Sequence, residues 1–369
     1  MAFAAGKNWG TAPDSSTFTS DVGSDSRLST SGAFQRYFTE QIIENSAMIQ
    51  SGLLATDARL NGLTGVLVEL PFFDQLEYVE ESINSSSTWG TVTPGSGRLT
   101  TQKHTAKTQY GPIIDRGAAF AADILHKYQT GEDTLANVTS QLTRKINKDI
   151  TAKIISQLTG LFGTALSGNV LNVAAGAGDT PSGENYLTAP NVIAAKYLLG
   201  EKAEDVSVLV VHPLVKADMD ARGLLTFQNS GGTVEYASNG VGVTQTAISY
   251  FAGLRVVTDS QVPKITPSGG TTGDAIGYCS YLAAPGAIRT GSQFPLSVNQ
   301  DTDILSFQEI MSIRYNRIDH VLGTSWGGGP DPENSDLANP SNWSLAYSSR
   351  ENVPLIQLIT NTPFGASVA

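Results

Sequence analysis

The pattern of apolar and polar positions is most regular between Glu132 and Phe162. Apolar side chains recur there at steps of three and four residues, at Leu135, Val138, Leu142, Ile146, Ile150, Ile154, Leu158 and Leu161. Arg144, Lys148 and Lys153 occupy the opposite side, and Gly163 is placed to end the run. This spacing predicts one amphipathic helix, about 45 Å long at 1.5 Å per residue. Such a helix would serve as the spine of a domain.

Shorter apolar runs predict strands and further helices. Val206–Val211 is a nearly continuous β-branched run, typical of a strand covered on both faces, and Pro213 opens a helix after it. Another strand, Val66–Leu70, is predicted to end at Pro71. The other predicted strands are Leu254–Val257, Ala275–Leu282, Ile310–Ile313 and Leu355–Ile359. The other predicted helices are at 34–49, Ala118–Leu125 and after the capping residue Thr188.

Residues 74–110, by contrast, contain almost nothing to bury. Strand-like segments flank a turn signal at Pro94–Gly97, so a long hairpin is predicted. A mobile surface loop or lid is one interpretation, and an arm lying on a neighbouring subunit is the other. The length of the segment favours the arm. The inter-subunit contacts predicted for such an arm are Glu77, Glu80, Trp89, Arg98, Lys103 and Lys107.

Composition limits the partners of the chain. Its net charge is −11 and only 15% of its residues are charged, without a Lys/Arg cluster, which disfavours sequence-specific nucleic-acid binding. The single Cys279 excludes an intramolecular disulfide, and a reduced cytoplasm is the default compartment. The N-terminus lacks a signal-peptide pattern, and no run of about 18 apolar residues occurs. Neither export nor a membrane span is therefore predicted.

The search for catalytic or metal-binding patterns is mostly negative. The four histidines, His104, His126, His212 and His320, have no zinc-site spacing, and Gly240–Val243 is a poor nucleotide fingerprint. His212 is predicted to be satisfied by loop backbone, and Cys279 to be a small buried group. No catalytic, cofactor-binding or metal-binding residue is predicted. The rival interpretation is a soluble α/β enzyme with the hairpin as lid, using His212 and either Asp218 or Asp259.

The order of these elements resembles the major capsid protein of tailed bacteriophages, which has the Hong Kong phage fold shared with encapsulins. The similar segments are Phe38–Gly52, Leu67–Phe73 followed by Thr93–Gly95, Val208–Leu225, Leu254–Asp259 with Val262 and Pro263, and Tyr281–Ile288. Leu337–Trp343 resembles the coat-protein thirteen-like subgroup. The resemblance spans about residues 33–361 and implies an α+β fold.

The resemblance also implies a domain organisation. It comprises an N-terminal arm (1–32), a peripheral domain (33–73 and 111–187) with the spine helix, the extended hairpin loop (74–110), an axial α/β domain (188–304) and a return segment (305–369). The composition changes near 165–188, where a domain boundary is expected.

By the same resemblance, the chain is a structural virion protein that assembles with itself, as pentamers and hexamers, in the host cytoplasm. The short first segment implies a separate scaffolding protein or none. Portal and decoration proteins are the other implied partners. An encapsulin-type compartment is the rival within the same fold.

Overall fold

The computed structural model describes residues 52–62, 65–73, 106–123, 134–228, 248–267, 274–303 and 305–365. The predicted N-terminal arm, the predicted helix at 34–49, most of the predicted hairpin and Gly240–Val243 lie outside these residues. The described chain divides into two compact units. The smaller unit contains 116–123, 134–146, 295–303 and 305–315, and the larger unit contains the other described residues.

The helices are α1 (Thr134–Gly163), α2 (Ala189–Lys196), α3 (Pro213–Ala221) and α4 (Asn334–Ala338). The first strands are β1 (Leu54–Thr56), β2 (Leu67–Phe73), β3 (Ala106–Asp123), β4 (Val170–Asn172), β5 (Val208–Val211), β6 (Thr226–Gln228), β7 (Ile248–Phe251) and β8 (Leu254–Thr258). The later strands are β9 (Lys264–Ile265), β10 (Gly277–Ala283), β11 (Ile288–Gly291), β12 (Ser297–Asp303), β13 (Gln308–Val321), β14 (Thr324–Trp326), β15 (Trp343–Leu345) and β16 (Leu355–Thr360).

An eight-stranded sheet forms the centre of the larger unit. Its strand order is β4-β16-β10-β5-β8-β7-β6, and β9 also pairs with β10. Every residue of β5, β10 and β16 is buried, so the prediction that the run ending at Val211 is covered on both faces is confirmed. Asn169, which is fully buried, donates from its side-chain amide to the carbonyl oxygen of Leu355 at 3.2 Å and so fixes the start of β16.

Helices cover both faces of this sheet. On one face, apolar side chains of α2 and α3, including Val192, Val215 and Met219, pack with Tyr278 and Leu282 of β10. On the other face, the ring of Phe162 in α1 stacks on Tyr281 with the centroids 5.7 Å apart. Because alternate side chains of a strand point to opposite faces, β10 joins the two layers.

The predicted spine helix is confirmed as α1. From Leu142 to Leu161, the described part of the predicted apolar stripe is buried, including Ile150, Ile154 and Leu158. Lys153 was predicted on the side opposite the apolar stripe but is only 7% exposed. Near its end, α1 is covered by the segment at 337–343. Gly160 faces the backbone of Leu337 and the indole of Trp343 there.

A second sheet contributes a smaller core to the larger unit. Its order is β1-β11-β13-β3-β2, with β12 pairing with β13. Leu60, Val68, Leu70, Ile113 and Ile318 form its buried cluster. His320 of β13 is fully buried beside Gly111 of β3, where a Cβ atom would lie 3.1 Å from the imidazole Nδ1.

Three local predictions are wrong. Ala118–Asp123 is the end of β3 and not a helix, since pairing in a sheet overrides the helix propensity of alanine. Pro71 does not end its strand, because β2 is an edge strand and an edge strand tolerates the missing N–H. The region 323–342 was predicted as a loop but contains β14 and α4, and the Trp326 and Trp343 rings meet edge to face at 4.8 Å.

Candidate inter-subunit surfaces

The base of the predicted hairpin is an antiparallel pair. β2 and β3 pair from Leu67 opposite Pro112 to Phe73 opposite Ala106. Residues 74–105 therefore connect Phe73 and Ala106, two positions that pair with each other. Of the predicted hairpin 74–110, only Ala106–Tyr110 is described, and it pairs with β2. The pairing of the two predicted arms with each other stays a prediction.

Side chains of the same unit anchor the hairpin base. The ring of Phe72 meets Tyr347 edge to face at 5.3 Å, and the side-chain oxygen of Gln109 accepts from the Gly323 N–H at 2.8 Å. Phe73, in contrast, is 69% exposed, and Val66 and Tyr110 are also exposed. The base is thus rigidly held while presenting apolar groups outward.

Of the predicted contact residues, only Lys107 lies within the described chain. It is exposed on β3, opposite Phe72 of β2. The other predicted contact residues fall in the part of the sequence that the structure does not describe. They are Glu77, Glu80, Trp89, Arg98 and Lys103. Their role as inter-subunit contacts stays a prediction.

The β12–β13 hairpin forms a second protruding surface, in the smaller unit. It pairs from Ser297 opposite Arg314 to Asp303 opposite Gln308. Leu305 and Phe307 lie in its turn and are each 68% exposed. The carboxylate of Asp303 accepts from the Leu305 N–H at 3.0 Å and from the Ser306 hydroxyl at 2.6 Å, and these bonds lower the pKa of Asp303.

The residues of the rival enzyme interpretation have structural partners. Nδ1 of His212 accepts from the Leu214 N–H at 3.2 Å and so caps α3, which confirms that backbone satisfies this histidine. Burial lowers the pKa of His212 and raises that of Asp259, which accepts from the Gln261 N–H at 2.8 Å. Asp218 is ion-paired with Arg222.

Cys279 is buried in β10, as predicted for a small core group. Its sulfur accepts from the side-chain amide of Gln357 at 3.0 Å. Burial raises the pKa of the Cys279 thiol to about 12, so the thiolate needed for nucleophilic chemistry does not form near neutral pH.

Within the described residues, no three His, Cys, Asp or Glu side chains are grouped so that they could hold a metal ion. Among the helices described, none combines the length and the apolar character that crossing a membrane requires.

Comparison with known proteins identifies the fold. The major capsid protein of Bacillus phage SPP1 is 22% identical over 329 residues, which cover 86% of this chain and 92% of that protein. The capsid of Ralstonia phage GP4 superposes with a TM-score of 0.55 at 11% identity, covering 86% of this chain and 91% of the other. The capsid asymmetric unit of cyanophage Pam1 gives a TM-score of 0.50 at 11% identity, with 87% and 93% covered.

The chain therefore has the fold of phage capsid proteins, of mixed α and β structure as predicted. Its resemblance to the major capsid protein of tailed bacteriophages is confirmed. No family model matches the sequence.

One candidate surface was not predicted from the sequence. The tip residues Leu305 and Phe307 were missed because no strand was assigned to Ser297–Asp303. A signal was present, since three large apolar residues, Ile304, Leu305 and Phe307, follow this polar segment within four positions.

Proposed function

We propose that this chain is the major capsid protein of a tailed bacteriophage. Many copies form the closed icosahedral shell that encloses the double-stranded DNA genome. One observation carries the proposal: β2 and β3 pair at both ends of the segment 74–105, in a chain similar to a phage major capsid protein over 86% of its length.

The proposed mechanism is mechanical. Each copy contributes arms that lie on its neighbours, so that every contact is modest and the closed array of contacts is strong. The exposed Phe73, Val66 and Tyr110 at the hairpin base support this, because such groups gain stability when a second surface covers them. Glu77, Glu80, Trp89, Arg98, Lys103 and Lys107 are the proposed arm contacts.

The domain limits from the sequence belong to this proposal. The peripheral domain is assigned to residues 33–73 and 111–187, and its return segment to 305–369. The axial domain, around the five- and six-fold centres, is assigned to residues 188–304. Residues 1–32 form the N-terminal arm. Separate scaffolding, portal and decoration proteins are the proposed partners.

The charge of the chain fits a shell wall. A net charge of −11 disfavours adhesion to the phosphates of packed DNA, so the wall can enclose the genome without binding its sequence. We assign no enzymatic role. That assignment is supported by the structural roles of three residues: His212 caps a helix, Asp218 is ion-paired and Cys279 is a buried thiol.

Electron microscopy and sedimentation of the expressed protein test the proposal. The expected result is closed particles of uniform diameter, alone or with the scaffolding protein of the same phage. In virions, the particles should contain nuclease-protected DNA, whereas an encapsulin would contain a cargo protein. A compact monomer at high concentration, with residues 74–105 resistant to protease, would contradict it.

A further inference from the structure

The tip of the β12–β13 hairpin concentrates apolar surface where the smaller unit cannot bury it. β12 is polar along most of its length, and of its residues only Val298 is buried. The turn after it nevertheless carries Leu305 and Phe307, each 68% exposed. A turn that only reverses the chain has no need of two large apolar side chains.

The tip is also held in one conformation. Asp303 accepts hydrogen bonds from both Leu305 and Ser306. Phe307 adopts φ +52°, in the left-handed region that disfavours a bulky residue and suits glycine or asparagine. Backbone strain of this kind concentrates at functional positions, which favours a use for the Phe307 side chain. The turn therefore presents Leu305 and Phe307 in a preformed arrangement.

We propose that this tip docks on a second copy of the chain, beside the exposed Arg144 and Lys145 of α1. The proposal rests on the proposed function and adds a contact outside the extended loop. Asp301 and Asp303 precede the apolar pair at the end of β12, and a chain of net charge −11 repels another copy on average. The exposed helical turn of α1 that carries Arg144 and Lys145 is basic. It is therefore the favoured docking surface, here called the receiver, for this acidic tip.

The chemistry of that receiver fits both parts of the tip. Arginine and lysine side chains have apolar stems that can cover Leu305, and a guanidinium can stack on the face of Phe307. Their charged ends would meet the carboxylates of Asp301 and Asp303. The acidic groups of the hairpin tip would thus pair with the basic ends of the α1 side chains, and its apolar groups would pack on their aliphatic stems.

The size of the contact indicates a repeated array and not an isolated dimer. Two such side chains expose on the order of 300 Å², well below the roughly 800 Å² per partner of a stable interface. One docked tip would not hold two copies together in dilute solution. Many tips acting with other contacts in a closed shell would.

The double variant Leu305→Ser/Phe307→Asn tests the tip. Asparagine tolerates the left-handed backbone, so the monomer should keep its thermal unfolding midpoint within about 2 °C of the wild type. Shell yield, measured by sedimentation, should fall at least tenfold. Asn299→Ser, an exposed change on the same hairpin, should assemble normally.

If the double variant assembles like the wild type, the tip proposal is overturned while the proposed function stands. If the wild type itself forms no shell, the proposed function fails.

A charge exchange tests the receiving surface. Asp301→Arg and Arg144→Glu should each reduce shell yield several-fold, because each places like charges in contact. Their combination in one chain should restore most of the yield. Absence of recovery, with folded single variants, would overturn the assignment of α1 as the receiver.

Discussion

Gly160 lies against Trp343 so closely that a Cβ atom at position 160 would be 2.6 Å from the indole Nε1. That indole already donates to the carbonyl oxygen of Leu337 at 2.8 Å, and both Leu337 and Trp343 are buried. The absence of a side chain at Gly160 is therefore what allows the segment at 337–343 to lie on the spine helix.

Gly160→Ala should destabilise the folded chain. The added methyl group has no room between α1 and Trp343, and overpacking of this kind costs about 1–3 kcal/mol. Urea unfolding of the unassembled protein measures the loss. Gly183→Ala is the matched control, because nothing lies within 4 Å of the Cβ position there. Equal stability of the two variants would contradict the close approach.

Cys279 should resist thiol reagents in the folded protein. Its pKa of about 12 leaves almost no thiolate at pH 8, and its side chain is buried in β10. Labelling with a maleimide should appear only on unfolding. Ala194→Cys, at an exposed position of α2, should react at once in the native state and shows that the reagent is active.

His320 should make the folded state sensitive to acid. Burial lowers its pKa from 6.5 to about 4, and within the described chain neither ring nitrogen has a hydrogen-bond partner. Because the unfolded state then binds the proton more tightly, stability is highest above pH 6.5 and falls as the pH approaches 4. The loss amounts to on the order of 3 kcal/mol.

His320→Leu separates this effect from the titration of carboxylates. The unfolding free energy of wild type and variant should be compared at pH 7 and pH 4.5. The wild type should lose more stability than the variant between these values. Parallel losses would mean that His320 does not contribute to the acid sensitivity.

Replacing residues 74–105 by Asn-Gly should abolish assembly without unfolding the chain. Phe73 and Ala106 are already paired, so a two-residue turn of this type can close β2 and β3 directly. The unfolding midpoint of the monomer should stay near that of the wild type. Particles of this variant in electron micrographs would contradict the proposed role of the extended loop.

The sequence correctly predicted those elements whose apolar and polar positions follow a strong and consistent pattern. The stripe through Ile150 and Leu158 defined α1, and the β-branched run ending at Val211 defined β5. Pro213 marked the start of α3. In each of these cases, local propensity, periodicity and burial agree, which is the condition under which a pattern specifies structure.

The remaining features depend on contacts between distant residues. Ala118 favours a helix locally, yet it lies in a strand because β3 extends along a sheet. Trp326 and Trp343 meet only after the chain has folded, so neither residue alone signals the β14–β15 pair. The sequence places Leu305 and Phe307 close together after a polar segment, but only the structure shows that both are exposed.

The position of β16 has a consequence for biosynthesis. This strand lies between β4 and β10, and Leu355 bonds to a side chain 186 positions earlier. Translation must deliver residues 355–360 beyond the ribosome before the eight-stranded sheet can close. Subunits in which residues 355–360 have not yet been synthesised would therefore lack a finished core, and they would not be competent to join other copies.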